Sequence, residues 1–338
     1  MNYLEMVQNK CKEHDVTLLL FTPTGSRLHG TSTANSDFDG VGIFLPSHEQ
    51  LLFQEAPDQI NIRSNPENSE DKNTSEDHDI VLYSLSKFIK MLNNGDSVAV
   101  SVRFANMNNP ELWESGMCYV IDHDGSFDFA YEFLSRLKVP RKISGMIGFA
   151  KAQAYKYSEK GNKYTSLKHI VEVLDNHRDK TMGQVESLFS RLPHVLVLET
   201  YPVKYQILHT TFDAAANCGW VVDNSLRPLL ETFGKRTKEA AENSNIDFKS
   251  CAHSIRIFYE IYQLHTNGMF VYPHRPYFVS IIKKVKTGQY TMKEISELLD
   301  EWEEKALTAE KESVLDKNAV SYNIKLFKDY MTGIFVYE

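Results

Sequence analysis

Cysteine is scarce in this chain of 338 residues, and the four present, Cys11, Cys118, Cys218 and Cys251, lie far apart. With no CxxC pair or closely spaced set, neither a disulfide framework nor a zinc site is legible, and a reducing, cytoplasmic compartment is the expectation. Long apolar runs are missing as well. No stretch approaches the ~20 residues that a membrane helix needs. The opening MNYLEMVQNKCKEHDV mixes acids and bases as an amphipathic helix, unlike a secretory leader. Neither secretion nor membrane insertion is expected. Positive charge is in deficit, with 37 Lys and Arg against 45 Asp and Glu and a formal charge of −8. That balance argues against broad adhesion to nucleic acid while leaving room for a local basic groove. No GxxxxGK[ST] sequence occurs, which disfavours a P-loop kinase or ATPase.

What the chain does carry is concentrated between Gly25 and Pro46, GSRLHGTSTANSDFDGVGIFLP. Leu18 to Phe21 is an apolar run of strand length, Gly25-Ser26 interrupts it, and Asp37 to Leu45 reads as a second short strand with Val41 and Ile43 in phase. Residues two apart on a strand point to one face, about 6.6 Å apart along the backbone, so the Asp37 and Asp39 carboxylates can converge on hard cations. A two-metal site, with ions ~4 Å apart, wants such a pair together with substrate phosphate oxygens. Gly25 lets the backbone approach a polyphosphate, and Ser26 offers an N–H and a hydroxyl to the β- and γ-phosphates.

Asp-x-Asp alone is cheap, since Asp77/Asp79 and Asp122/Asp124 repeat it. The last pair, followed by Gly125 and Ser126, fits a turn and lacks the further acids of a calcium loop. Only Asp37/Asp39 has strand, Gly-Ser turn and strand in order. After a polar tract at 64–78, expected to be a mobile loop, a third strand reads from Ile80 to Tyr83. Ser84 is placed to cap a helix carrying Leu85, Phe88, Ile89 and Leu92. On spacing alone, either Asp77 or Asp79 could stand at the mouth of that strand.

Gly25, Ser26, Arg27 and Gly30, then Ser36, Asp37, Asp39 and Gly42, resemble the GSRxxG…SDxDxxG signature of nucleotidyltransferases in the DNA polymerase β superfamily. The subgroup they resemble is the one associated with RNA ligases in RNA-repair gene neighbourhoods. The resemblance implies a third acid on a later strand, and at that position it favours Asp79. It continues through 148–157 and about 247–305, whereas about 158–246 matches nothing in the family pattern and reads as an unplaced insertion.

Beyond about 125 the pattern turns mostly helical. Phe127 to Leu137, Ile143 to Tyr157, Leu167 to Leu174, Ser225 to Glu242, Lys249 to His265, Pro276 to Lys286 and Met292 to Ala309 are the expected helices. In FKSCAHSIRIFYEIYQL, Lys249, His253, Arg256 and Glu260 recur at intervals of four, three and four, which puts them on one face. Periodicity by itself favours a solvated face with Glu260 paired to Arg256. The resemblance to the family's later helix sets beside it a second reading, in which Lys249 and Arg256 bind phosphate and His253 makes a polar contact. Arg27 is read either as a phosphate ligand or as an ion-pair partner, Lys151 as solvent-facing, and His29 as structural.

The expected fold is thus α+β. The resemblance implies a polymerase-β-like core, a small mixed sheet with helices over 1–124, followed by a mostly helical domain over 125–338. The expected activity is transfer of NMP from an NTP, with ATP as the expected donor, to a hydroxyl, releasing pyrophosphate. Asp37, Asp39 and Asp79 would hold two Mg²⁺ or Mn²⁺ ions, and Asp79 would also serve as general base. Candidate acceptors are an RNA end, a small molecule or a protein. The rival reading is a non-catalytic, antitoxin-like nucleotide-binding regulator.

Overall fold

The computed structural model describes residues 2–34, 36–64, 74, 76–105, 119–120, 128–242, 247–269 and 271–337. Most of the tract at 64–78, the Asp122/Asp124 pair, Cys118 and the expected boundary at 124–125 lie outside them. The chain divides into two compact units, one formed by 1–150 with 252–338 and the other by 151–251.

The first unit is built on a five-stranded mixed sheet. Its strands are β1 (Val16–Pro23), β2 (Phe38–Pro46), β3 (Gln59–Arg63), β4 (His78–Ser84) and β5 (Tyr119–Val120), in the order β3-β4-β2-β1-β5. β1 and β2 are almost wholly buried, as central strands covered on both faces must be, and they pair antiparallel. β2 and β4 run parallel, with Asp39 opposite Asp79, and β3 returns antiparallel to β4. Helix α1 (Tyr3–Glu13) lays Val7 and Cys11 onto Leu18, Phe21, Phe44, Ile80 and Leu82. Each such side chain removed from water contributes roughly 1.5–3 kcal/mol, and this packing fixes the sheet that carries the acids.

After α2 (Gly25–Leu28) and α3 (His48–Leu52), helix α4 (Leu85–Asn93) leaves β4 directly. Ser84 caps it, accepting from the Lys87 N–H at 3.2 Å, and Leu85, Phe88, Ile89 and Leu92 are the buried stripe that the spacing predicts. Helices α5 (Ser97–Ala105) and α6 (Asp128–Arg136) follow. The expected helices at 143–157 and 167–174 are one continuous helix, α7 (Ser144–Asp175), because the polar stretch between them holds no proline to stop it.

The rest of the chain is mostly helical, as expected, with one addition. Within 151–251 the short segments β6 (Val195–Leu198), β7 (Lys204–Ile207) and β8 (Thr210–Asp213) form an antiparallel sheet that the sequence reading did not anticipate. Leu167, Leu174, Phe189, Tyr205, Val221 and Leu226 close a core of that unit's own. The helix expected over 225–242 is broken into Arg227–Glu231 and Lys235–Glu242, with Gly234 between them. Helices α8 (Phe248–Asn267), α9 (Pro276–Lys286), α10 (Met292–Lys311) and α11 (Ala319–Tyr337) complete the chain, α10 starting in the capping box of Thr291 and Glu294. No helix among the described residues is long and apolar enough to cross a membrane.

Candidate active site

The Gly-Ser turn and the paired aspartates meet where the end of β1 lies beside the start of β2. Gly25 opens α2 with φ of +57°, and a Cβ on it would lie 2.0 Å from Asp39 Oδ2. Any other residue would meet both the strain of the left-handed conformation and that carboxylate. The Thr24 N–H donates to the Asp39 carbonyl at 2.9 Å, so the turn is hung on the same strand. Ser26 follows, half-buried.

Asp37 precedes β2 and Asp39 is its second residue, both half-buried. Parallel neighbours lie about 4.8 Å apart, and residues opposite on the ladder project to one face, so the register sets Asp79 beside Asp39. The Asp79 carboxylate accepts from Arg63 Nε at 3.0 Å across the β3–β4 ladder. Asp77, the other option at this strand mouth, accepts from Ser64 Oγ at 2.8 Å, the Thr74 N–H at 2.7 Å and Thr74 Oγ1 at 3.0 Å. Those bonds make it the staple of a turn.

Arg27 is exposed, and its guanidinium donates to the carbonyls of Ser36 at 3.1 Å and Asp37 at 3.3 Å while lying 5.8 Å from the Phe38 ring centroid. It ties the glycine turn to the aspartate segment. His29, at the end of α2, is buried.

The polar stripe of α8 turns inward. Periodicity favoured a solvated face, yet Arg256 is 7% exposed and Glu260 0%. Arg256 donates to Glu260 Oε1 at 2.5 Å and lies 3.1 Å from His253 Nδ1, so the Glu260 pairing is present but inside the fold. His253 also meets the Phe149 ring edge-on. Lys249 is exposed and belongs to the 151–251 unit. Burial pushes the Glu260 carboxyl up, but the Arg256 charge and the His274 hydrogen bond outweigh it and hold the group below the usual carboxylate range. His29 is driven well below the usual histidine range by burial, with the charge of Arg256 adding to it. At 3.6 Å from Glu260, neutral His29 is neither an ion-pair partner nor a hydrogen-bond donor.

Sequence reasoning missed two features, Arg63 on Asp79 and the cluster of His29, Glu260, Tyr272 and His274. The first is a neighbour across a ladder interrupted by the polar tract at 64–78. The second joins opposite ends of the chain and leaves no local signal.

Several carboxylates on adjoining strands, faced by a turn that a Cβ would block, are a donor set suited to hard divalent cations. A small mixed sheet with this turn and these acids, followed by helices, defines the class of polymerase-β-like nucleotidyltransferase cores. Residues 2–171 match the family described as "RNA repair pathway DNA polymerase beta family", and the chain belongs to it. The chain is also similar to an uncharacterized 38.9 kDa protein of the nrdC-mobD intergenic region of Enterobacteria phage T4. The two are 24% identical over 339 residues, covering 92% of this chain and 95% of that protein. No solved structure matches the chain.

Proposed function

We propose that this protein transfers NMP from an NTP, with ATP as the donor, to a hydroxyl acceptor in the cytoplasm. The observation that carries the reading is the Gly25 backbone set against the Asp39 carboxylate, with Asp79 opposite on the parallel ladder. Asp37, Asp39 and Asp79 would hold two Mg²⁺ or Mn²⁺ ions. Those ions would supply charge neutralisation and a lowered hydroxyl pKa.

The residues of the chain then divide the work. Gly25 and Ser26 seat the β- and γ-phosphates, and Arg27 holds that turn against the aspartate segment. Asp79 takes the acceptor's proton as the oxygen bonds to the α-phosphorus. The α–β bridging bond breaks, and its electron pair leaves with pyrophosphate. Arg256 is neutralised by Glu260 inside the fold, with His253 a polar contact beside it, so the countercharge for the phosphates would come from the ions. Catalysis comes chiefly from positioning and charge. The family description favours an RNA end over a small molecule or protein as acceptor.

Purified protein incubated with Mg²⁺ or Mn²⁺, each α-labelled NTP and a panel of RNA, DNA, protein and small-hydroxyl acceptors tests this. Label transfer is expected, and Asp39→Ala should abolish it. Transfer that survives Asp39→Ala sinks the site assignment. Nucleotide binding without transfer to any acceptor would favour the antitoxin-like regulatory reading.

A further inference from the structure

Behind the Gly25 turn lies a buried polar cluster with one carboxylate at its centre. Glu260 Oε1 has Arg256 Nη1 at 2.5 Å, His274 Nε2 at 3.0 Å, the Tyr272 hydroxyl at 3.4 Å and His29 Nδ1 at 3.6 Å. Glu260 and Arg256 come from α8, Tyr272 and His274 from the segment before α9, and His29 from the end of α2.

The contacts continue along the chain that leaves the turn. The His29 ring stacks on His274 at 5.3 Å and tilts against Tyr272 at 5.2 Å. The His274 N–H donates to the His29 carbonyl at 3.4 Å. A Cβ on Gly30 would lie 2.7 Å from Pro273 Cβ, and Lys286 Nζ donates to Thr31 Oγ1 at 3.1 Å. Residues 29–31 are thus gripped one after another by 272–286.

The charges say what kind of cluster this is. A buried carboxylate costs several kcal/mol unless it is paired, and Arg256 supplies the pairing. With His29 neutral, carboxylate and guanidinium balance. His29, Glu260 and His274 bring ligand-capable atoms within 4.8 Å of one another, an arrangement that invites a metal. Glu260 Oε2 has no hydrogen-bond partner among the described residues, but Arg256 already balances the carboxylate through Oε1, so a dication would leave a large net charge inside the fold.

We propose that Glu260 is a positioning residue, which through His274 clamps the His29 end of the phosphate turn to α8 and so fixes the Gly25-Ser26 backbone against Asp39. The effect on nucleotide rests on the nucleotidyl-transfer reading, whereas the clamp itself does not.

Hydrogen exchange by mass spectrometry on the full chain, with nucleotide binding and label transfer alongside, tests it. In Glu260→Gln the amides of 24–31 should exchange at least tenfold faster, while 80–84 of β4 keep wild-type protection. The KM for NTP should rise at least tenfold with kcat changed less. Because Glu260→Gln strands the Arg256 cation, Arg256→Gln/Glu260→Gln is measured as well, and it should regain the melting temperature yet keep fast exchange at 24–31. Wild-type protection at 24–31 in both variants overturns the proposal, as does an increase spread evenly over the unit in both. A stoichiometric divalent ion that disappears in Glu260→Gln would also overturn it, by making the cluster a metal centre. Wild-type protein that binds no nucleotide would sink the nucleotidyl-transfer reading alone, since the exchange result still decides the clamp.

Discussion

Gly25 is where the chain leaves least choice. Gly25→Ala would place a methyl 2.0 Å from Asp39 Oδ2 and adopt a left-handed conformation costing about 1–2 kcal/mol, so stability should fall by at least that much. Label transfer should drop about 100-fold or more, because a ~1 Å displacement at such a site costs that much. Transfer at the wild-type rate would remove Gly25 from the phosphate turn. Arg63 gives the opposite kind of test. Its bond to Asp79 is half-exposed, and such pairs are worth about 0–1 kcal/mol, so Arg63→Ala should leave the denaturation midpoint nearly unchanged. It would free Asp79 Oδ1, and the Mg²⁺ concentration for half-maximal transfer should fall several-fold. A higher Mg²⁺ requirement would show that Arg63 serves the site. The aspartates and the turn stand out in the sequence because an apolar run, Gly-Ser, Asp-x-Asp and a second apolar run follow in that order at one place in the chain. Arg63 was not, because the polar tract at 64–78 hides which residue of β3 faces Asp79.

At the scale of elements, periodicity found faces but not their surroundings. The Leu85, Phe88, Ile89 and Leu92 stripe of α4 is apolar and is buried as expected. The stripe of His253, Arg256 and Glu260 is polar and is largely buried too, because its charges satisfy one another and His274. Helical spacing cannot distinguish a polar face in water from one paired inside the fold. The short strands β6 to β8 escaped for a related reason, since four-residue runs carry too few repeats of a period-two pattern. The cap between β4 and α4 offers a direct measurement, because Ser84 accepts from the Lys87 N–H and joins the Asp79 strand to its supporting helix. Ser84→Ala should cost about 1 kcal/mol in urea denaturation, the usual loss for an N-cap. A cost near zero would mean that α4 is held by its buried stripe alone.

For the molecule as a whole, the buried histidines set the response to acid. His29 is pushed well below its usual value by burial and then by Arg256, His274, His253 and Lys286, and His265 is lowered by burial as well. An unfolded chain takes up protons near pH 6.5, the ordinary histidine value, whereas these folded sites refuse them. Their contribution is therefore complete above that pH and is lost progressively as the pH falls below it, by up to about 1.4 kcal/mol per pH unit for each histidine. Glu260 has the other sign of shift. Its carboxyl is held below the ordinary 4.5, so its contribution persists until the pH drops beneath that value. Between about pH 6.5 and 4.5 the loss thus belongs chiefly to the histidines. Urea denaturation at pH 7.5 and pH 5.5 should show lower stability at the acid point. His29→Asn should start less stable, because it breaks the ring stack on His274, yet lose less between the two pH values. An acid loss equal to that of wild type would mean that His29 titrates normally and is not the enclosed ring that packs on His274.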